Sequence, residues 1–300
     1  MSVTPSRLPH LLLCVGGVLV FAATGLHAQN TKPLDVAPGQ LVRQVVEHEV
    51  SDTRNAATKH FFISRKQTPK GSQTRLYAET NDAMAGMLIA IDDKPLTAQQ
   101  QQAETDHLAW LEGNPDQLRK KHAREKEDAA RTLQIVKALP DAFLYEYAGT
   151  ETGTANLGKS GDPLVRLSFR PNPAYSPPSR VEQVLTGMKG FLIVDAAARR
   201  LARIDGTLFR DVSFGWGILG HLDSGGKFLV QQADIGDGDW ELTQLTLKIT
   251  GKILLFKSLS MVSDEVLSGY RRLPDNLSFA DGVKLLKSES EKRTQASSSR

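Results

Sequence analysis

A chain of 300 residues with 37 Lys and Arg against 34 Asp and Glu carries a formal charge of only +3, and its one cysteine stands at position 14. Near-neutrality argues against nucleic acid as the main partner, because neutralising phosphate demands a basic excess on one face. A lone cysteine excludes an internal disulfide framework, so the core rests on burial, which a chain of this length can supply.

Arg7 and His10 precede an apolar run from Leu11 to Ala23, and Gly25 and Ala28 follow before polar Gln29. That three-part layout predicts a Sec-type signal peptide over residues 1–28. The run is shorter than the about 20 apolar residues of a membrane span. Cys14 follows Leu13 instead of a small residue, so no lipobox is present and cleavage after Ala28 leaves a chain without thiols. The expected location is periplasmic or secreted, with retention of the segment as an anchor the alternative.

After Pro38, Leu41, Val42, Val45, Val46 and Val50 recur at helical spacing and predict a short amphipathic helix. Strands are expected at 60–66, 74–79 and 84–91, divided by Pro69-Lys70-Gly71 and Asn81-Asp82. Thr97 is a candidate N-cap for a charged helical insert over 97–139, interrupted at Asn114-Pro115. Its opposite charges stand at helical spacing, as in Lys121 with Glu125 and Glu127 with Arg131, while Leu133, Val136 and Leu139 gather late. The insert therefore begins solvated and ends docked. Strands at 142–147 and 164–169 flank a Gly-, Thr- and Asn-rich connection, and Pro171 to Pro178 forms a stiff loop.

From Lys189 to Val262 the chain reads as one antiparallel meander. Ala202, Ile204 and Leu208 alternate with Arg203 and Asp205, and Leu245, Leu247 and Ile249 alternate with Gln244, Thr246 and Lys248. Such a sheet has one wet face and one to be covered. A short helix within 273–287 and a disordered tail over 288–300 complete the expectation. The fold class is α+β: a single domain over 29–287, with a strongly curved, half-barrel-like antiparallel sheet partly covered by a few helices.

The exported leader, the helix before paired strands at 41–91, and the hairpin from Gly190-Phe-Leu-Ile-Val-Asp195 into Arg203-Ile-Asp-Gly206 carry a resemblance. In this order of elements the chain resembles the LolA/LppX/RseB-like superfamily of exported bacterial proteins, whose members include lipoprotein and lipid carriers. It is also similar to uncharacterised secreted proteins of Acidobacteria through Leu139-Pro-Asp-Ala-Phe-Leu-Tyr-Glu-Tyr147 and Arg170-Pro-Asn-Pro173. The resemblance implies a curved sheet around an apolar ligand. The charged insert departs from the carrier pattern, and no ligand-contacting residue of those carriers maps onto this chain.

Motifs for chemistry are weak throughout. Gly215-Trp-Gly217-Ile-Leu-Gly220 spells the dinucleotide fingerprint, but a strand at Phe228 follows where a helix is needed, so no nucleotide is expected. His48-Glu49 and His60 lack His-Glu-x-x-His spacing, and His107, His122 and His221 add no cluster. Asp234, Asp237, Asp239 and Glu241 gather at a turn without the oxygen order of a calcium loop. No Gly-x-Ser-x-Gly elbow activates Ser160, Ser213 or Ser224. Neither an enzyme nor a cofactor or metal is expected.

Two readings stay open. One is an envelope protein holding a lipid or acyl chain, with Leu41, Val45, Ile204, Leu208, Leu245 and Leu247 as candidate contacts. The other is a non-catalytic structural or interaction protein, packed shut, whose insert docks an envelope partner. Phe214, Trp216, Ile218 and Leu219 form a candidate partner or membrane loop in either case.

Overall fold

The computed structural model describes residues 36–55, 58–215, 220–253 and 257–298, so the leader and the loop residues Trp216, Ile218 and Leu219 lie outside the described residues. Helix α1 (Pro38–Asn55) places Leu41, Val42, Val45 and Val46 on one buried stripe. It leads into β1 (Lys59–Thr68), β2 (Gly71–Ala78), β3 (Ala85–Ile91) and the two-residue β4 (Lys94–Pro95).

Helix α2 (Ala98–Glu112) starts on a capping box, in which Thr97 Oγ1 accepts from Gln100 N at 3.3 Å and Gln100 Oε1 accepts from Thr97 N at 2.8 Å. Thr97→Ala is expected to lower stability by about 1 kcal/mol. A urea midpoint unchanged from wild type would contradict it. Gly113 caps the end of α2, Asn114 stands at the N-cap of α3 (Pro115–Ala142), and Pro115, with no N–H to satisfy, opens that helix. Leu118 of α3 packs with α2, β2 and α5 residues, and Ala138, Leu139 and Ala142 pack with α1, so this helix joins two cores. The expected insert is therefore part of the fold.

After β5 (Phe143–Thr152) and β6 (Pro163–Pro171) come the one-turn α4 (Arg180–Gln183) and the 3-10 turn η1 (Val184–Gly187). Strands β7 (Met188–Asp195) and β8 (Arg200–Leu208) form the hairpin that is plainest in the sequence. A small hairpin, β9 (Val212–Phe214) and β10 (Gly220–Leu222), precedes β11 (Lys227–Asp234), β12 (Trp240–Ile253) and β13 (Lys257–Leu273). Among the described residues these strands form one antiparallel sheet, in the order β4-β3-β2-β1-β13-β12-β11-β8-β7-β6-β5, with β10 on β12 and β9 on β10. The path ends at β4 and β5 and does not close into a barrel. This is an α+β fold.

Register assigns the faces. Phe228 opposes both Gly206 and Leu247, which puts these residues on one side of the sheet. Leu245 shares that side with Glu265 and, through it, Lys66 of β1. The inner side is covered by α1, the end of α3, α4 and η1. Alternation turns Phe61 to the other side, where it packs with Leu76, Leu108, Val283 and Leu286. Each half of the sheet is thus covered on a different face.

The C-terminus corrects the expected tail. Helix α5 (Phe279–Ser298) continues through Glu289, which is buried and ion-paired with Arg271 at 3.0 Å and Lys292 at 3.2 Å. Polar composition alone suggested disorder, but one face of this segment has partners on β13. Among the described residues, no helix is long and apolar enough to cross a membrane.

Candidate functional site

Between the inner face and the covering helices lies a cavity of about 270 Å³. Met188 and Leu192 of β7, Ile204, Gly206 and Leu208 of β8, and Leu247 and Ile249 of β12 form its floor, each set an even number of residues apart and so on one face of its strand. Ile135 and Leu139 of α3 form one wall, and Val181, Val184 and Leu185 of α4 and η1 form the roof. Tyr145 also lines it, but its hydroxyl donates to the Leu139 carbonyl at 2.8 Å, so its polar atom is already engaged. Burial, and secondarily Asp141, raises the Tyr145 phenol above its ordinary range.

Glycine helps make this space. At Gly206 a Cβ would lie 2.8 Å from the Met188 methyl and 3.0 Å from the Phe228 ring. Its cross-strand partner Gly190 is required by a close approach, since a Cβ there would lie 1.9 Å from the Asp205 carbonyl oxygen. The Gly190 and Gly206 of the sequence hairpin thus have separate roles.

The roof is held by polar contacts. Ser179 Oγ accepts from Glu182 N at 3.3 Å and donates to Glu182 Oε2 at 2.7 Å, capping α4. Gln134 Nε2 of α3 donates to both, at 3.0 Å and 2.9 Å. Gln183 Nε2 donates to the Ser213 carbonyl at 2.7 Å, fixing α4 to β9. The Ser179-Arg-Val-Glu182 spacing was the available sequence signal for this element.

Of the candidate ligand contacts, Ile204, Leu208 and Leu247 line the cavity. Leu41 and Val45 instead pack into the core between α1 and the sheet. Leu245 lies on the same face but in the row of Glu265, outside the cavity wall. In the candidate loop, Phe214 is half-buried against the inner core. Gly220, the last glycine of the dinucleotide-like text, opens strand β10 where a phosphate site requires a helix N-terminus.

A second polar cluster brings His60 and Glu79 to Asp239 and Glu241 of the acidic turn. His60 is 3% exposed; its Nε2 is 3.2 Å from Asp239 Oδ2, and its backbone N donates to Glu79 Oε2 at 2.8 Å. Its Nδ1 lies 3.0 Å from Glu241 Oε1 but without hydrogen-bond geometry. Arg272 donates to the same Asp239 oxygen at 2.9 Å. Burial, then the charges of Glu79 and Asp239, pushes Glu241 up to about 7, and burial also raises Glu79. Among the described residues no group of His, Cys, Asp and Glu has the arrangement of a metal site.

No protein-family model matches the chain, and no curated protein matches it.

Proposed function

We propose that the chain is an exported cell-envelope protein that holds a hydrophobic ligand, one acyl chain or a molecule of similar bulk, between its sheet and the roof over residues 180–187. The observation that carries this reading is the cavity wall: apolar side chains, two glycines and Lys227 at the margin, with the one buried hydroxyl already bonded. Its volume of about 270 Å³ exceeds the about 150 Å³ of an engineered apolar cavity that stays dry and takes up benzene. That size suits part of a single chain and not a many-chained lipid. The open antiparallel sheet with helices on it supports the likeness to the LolA/LppX/RseB-like carriers, which is part of the same proposal. Periplasmic or secreted location belongs to it too, on the strength of the leader.

Titration with a fluorescent fatty acid tests the reading, together with native mass spectrometry of gently purified protein. Wild type should bind the probe, and Gly206→Leu or Leu247→Trp should each weaken binding about tenfold or more by filling the space. Absence of probe binding to a folded wild type, or equal binding by both filled variants, would remove the proposal.

The rival reading, a partner-docking protein, is favoured by one observation. Trp110 on α2 is 49% exposed and stacks on His107 beside the charged face of α3. Because Leu108, Leu111 and Leu139 belong to the cores, removing residues 97–139 would unfold the chain, and Trp110→Ser is the substitution that isolates the surface.

A further inference from the structure

The reverse face of the sheet, behind the cavity floor, carries an unusual row. Lys189 of β7 opposes Thr207 of β8, Thr207 opposes Lys227 of β11, and Lys227 opposes Lys248 of β12. Direct partners share a face, and this row is one residue out of step with Gly206, Phe228 and Leu247, so it belongs to the reverse face; Lys189 and Lys248 stand clear of the cavity, and Lys227, at the strand end, also reaches its margin. All three are exposed, and none has an ion pair among the described residues. Lys252, four residues beyond Lys248, alternates to the same side and is also exposed.

Like charges directly opposed across two strands are destabilising, so Lys227 opposite Lys248 disfavours the free protein. An anionic surface would relieve it. Nearby carboxylates do this only in part: Asp205, two residues before Thr207 on the same face, and Glu146 border one groove with Lys189 and Lys227 but form no ion pair with them, Asp211 accepts from Ser224 N, and Asp223 accepts from the Thr250 hydroxyl.

A separate observation specifies what kind of surface. Where β8 ends, Leu208 enters the cavity wall and the next residue, Phe209, is turned out, 43% exposed. Lys189 Nζ and Arg210 Cζ each lie 5.6 Å from its ring centroid. An exposed aromatic ring set among cations suits a lipid interface, where the ring enters the headgroup layer and the cations meet phosphate. A soluble polyanion would make no use of the ring.

We propose that this end of the outer face, with Lys189, Lys227, Lys248 and Phe209, docks the protein on an anionic phospholipid bilayer and so brings the acyl cavity at the same strand ends close to the lipid. The biological purpose rests on the cavity reading, but the docking surface is defined by different residues and can fail separately. Neutralising one lysine near an anionic bilayer should weaken association about fivefold.

The test is cosedimentation of the full chain with vesicles of phosphatidylcholine alone and of an equal mixture of phosphatidylcholine and phosphatidylglycerol. The apolar run at 11–23 is common to all variants, so differences between them report the surface. Wild type should prefer the mixed vesicles and lose that preference at high salt. Lys189→Ala with Lys248→Ala, which leaves the cavity margin intact, should bind them about 25-fold more weakly, and Phe209→Ser about tenfold more weakly. Lys126→Ala, on the exposed part of α3, should bind as wild type does. Equal binding to both vesicles, no binding, or a double variant that binds like wild type would each overturn the proposal, as would an equal loss in Lys126→Ala. Thermal melts confirm folding of each variant. Fatty-acid binding retained by the double-lysine variant but lost in Gly206→Leu would separate this surface from the cavity.

Discussion

Replacing Arg200 with Met is expected to destabilise the fold by about 3–5 kcal/mol, the range for removing one member of a buried ion pair. Arg200 stands at the start of β8 with its side chain only 8% exposed. Its Nε meets Glu49 Oε1 at 3.1 Å, another guanidinium nitrogen pairs with Asp52, and its Cζ lies 5.5 Å from the Trp240 ring centroid. Met keeps the bulk over the ring but leaves Glu49 buried without this cation. Burial already raises Glu49 above its ordinary value, against the opposing pull of Arg200 and of the Leu201 N–H. Glu49→Gln should cost far less, about 1 kcal/mol, since an amide oxygen can still accept from Leu201 N at the 2.8 Å seen here. Urea unfolding of the two variants checks the order. Equal costs would mean that Arg200 acts through packing on Trp240 and not through its charge.

Stability is also expected to fall as pH rises from about 4.5 to about 7, with Glu241 the largest single source. The folded protein holds the Glu241 proton up to about 7, whereas the unfolded chain releases it near the ordinary value of 4.5. Below 4.5 both states are protonated and the contribution is fully present. Between the two values only the folded state keeps the proton, so unfolding gains, and above 7 the loss is complete at about 3 kcal/mol. Glu79 and Glu49, both raised, act in the same direction. The lowered carboxyls Asp93 and Asp281 act below their ordinary value of 3.8, outside this window. Glu241→Gln should flatten most of the slope and be more stable than wild type at pH 8. A urea midpoint in wild type that is equal at pH 5 and pH 8 would refute the assignment. Because the Arg200 charge lowers Glu241, Arg200→Met should extend the slope to higher pH.

Alternation made the sheet readable before any coordinates. Ile204, Leu208 and Leu247 could be assigned to an apolar face from their own strands, because a period of two is a local property. Whether that face was filled or hollow depended on Val181, Val184 and Leu185, which a short run after a proline-rich loop did not announce. Leu41 and Val45 show the limit from the other side: the same helical stripe serves a packed core as well as a cavity. Asp239 and Glu241 already stood together at one turn in the sequence, but His60 of β1 and Glu79 just after β2 lie about 160 to 180 positions earlier, so no spacing rule could join them to that turn. In α5, the partner of Glu289 is Arg271 on another element, and composition alone suggested a tail.

The pairing of β1 with β13 sets a condition on how the molecule is made. Lys59 faces Leu273 and Gln67 faces Asp264, so the first strand finds its central neighbour only when almost the whole chain is present. Until then β1, β2 and β3 have an unpaired edge and lack α5 over Phe61 and Leu76. Contacts so distant in sequence form slowly. A chain emerging from the ribosome therefore cannot complete this sheet before its last strand appears, so its first three strands wait as an incomplete unit for most of synthesis.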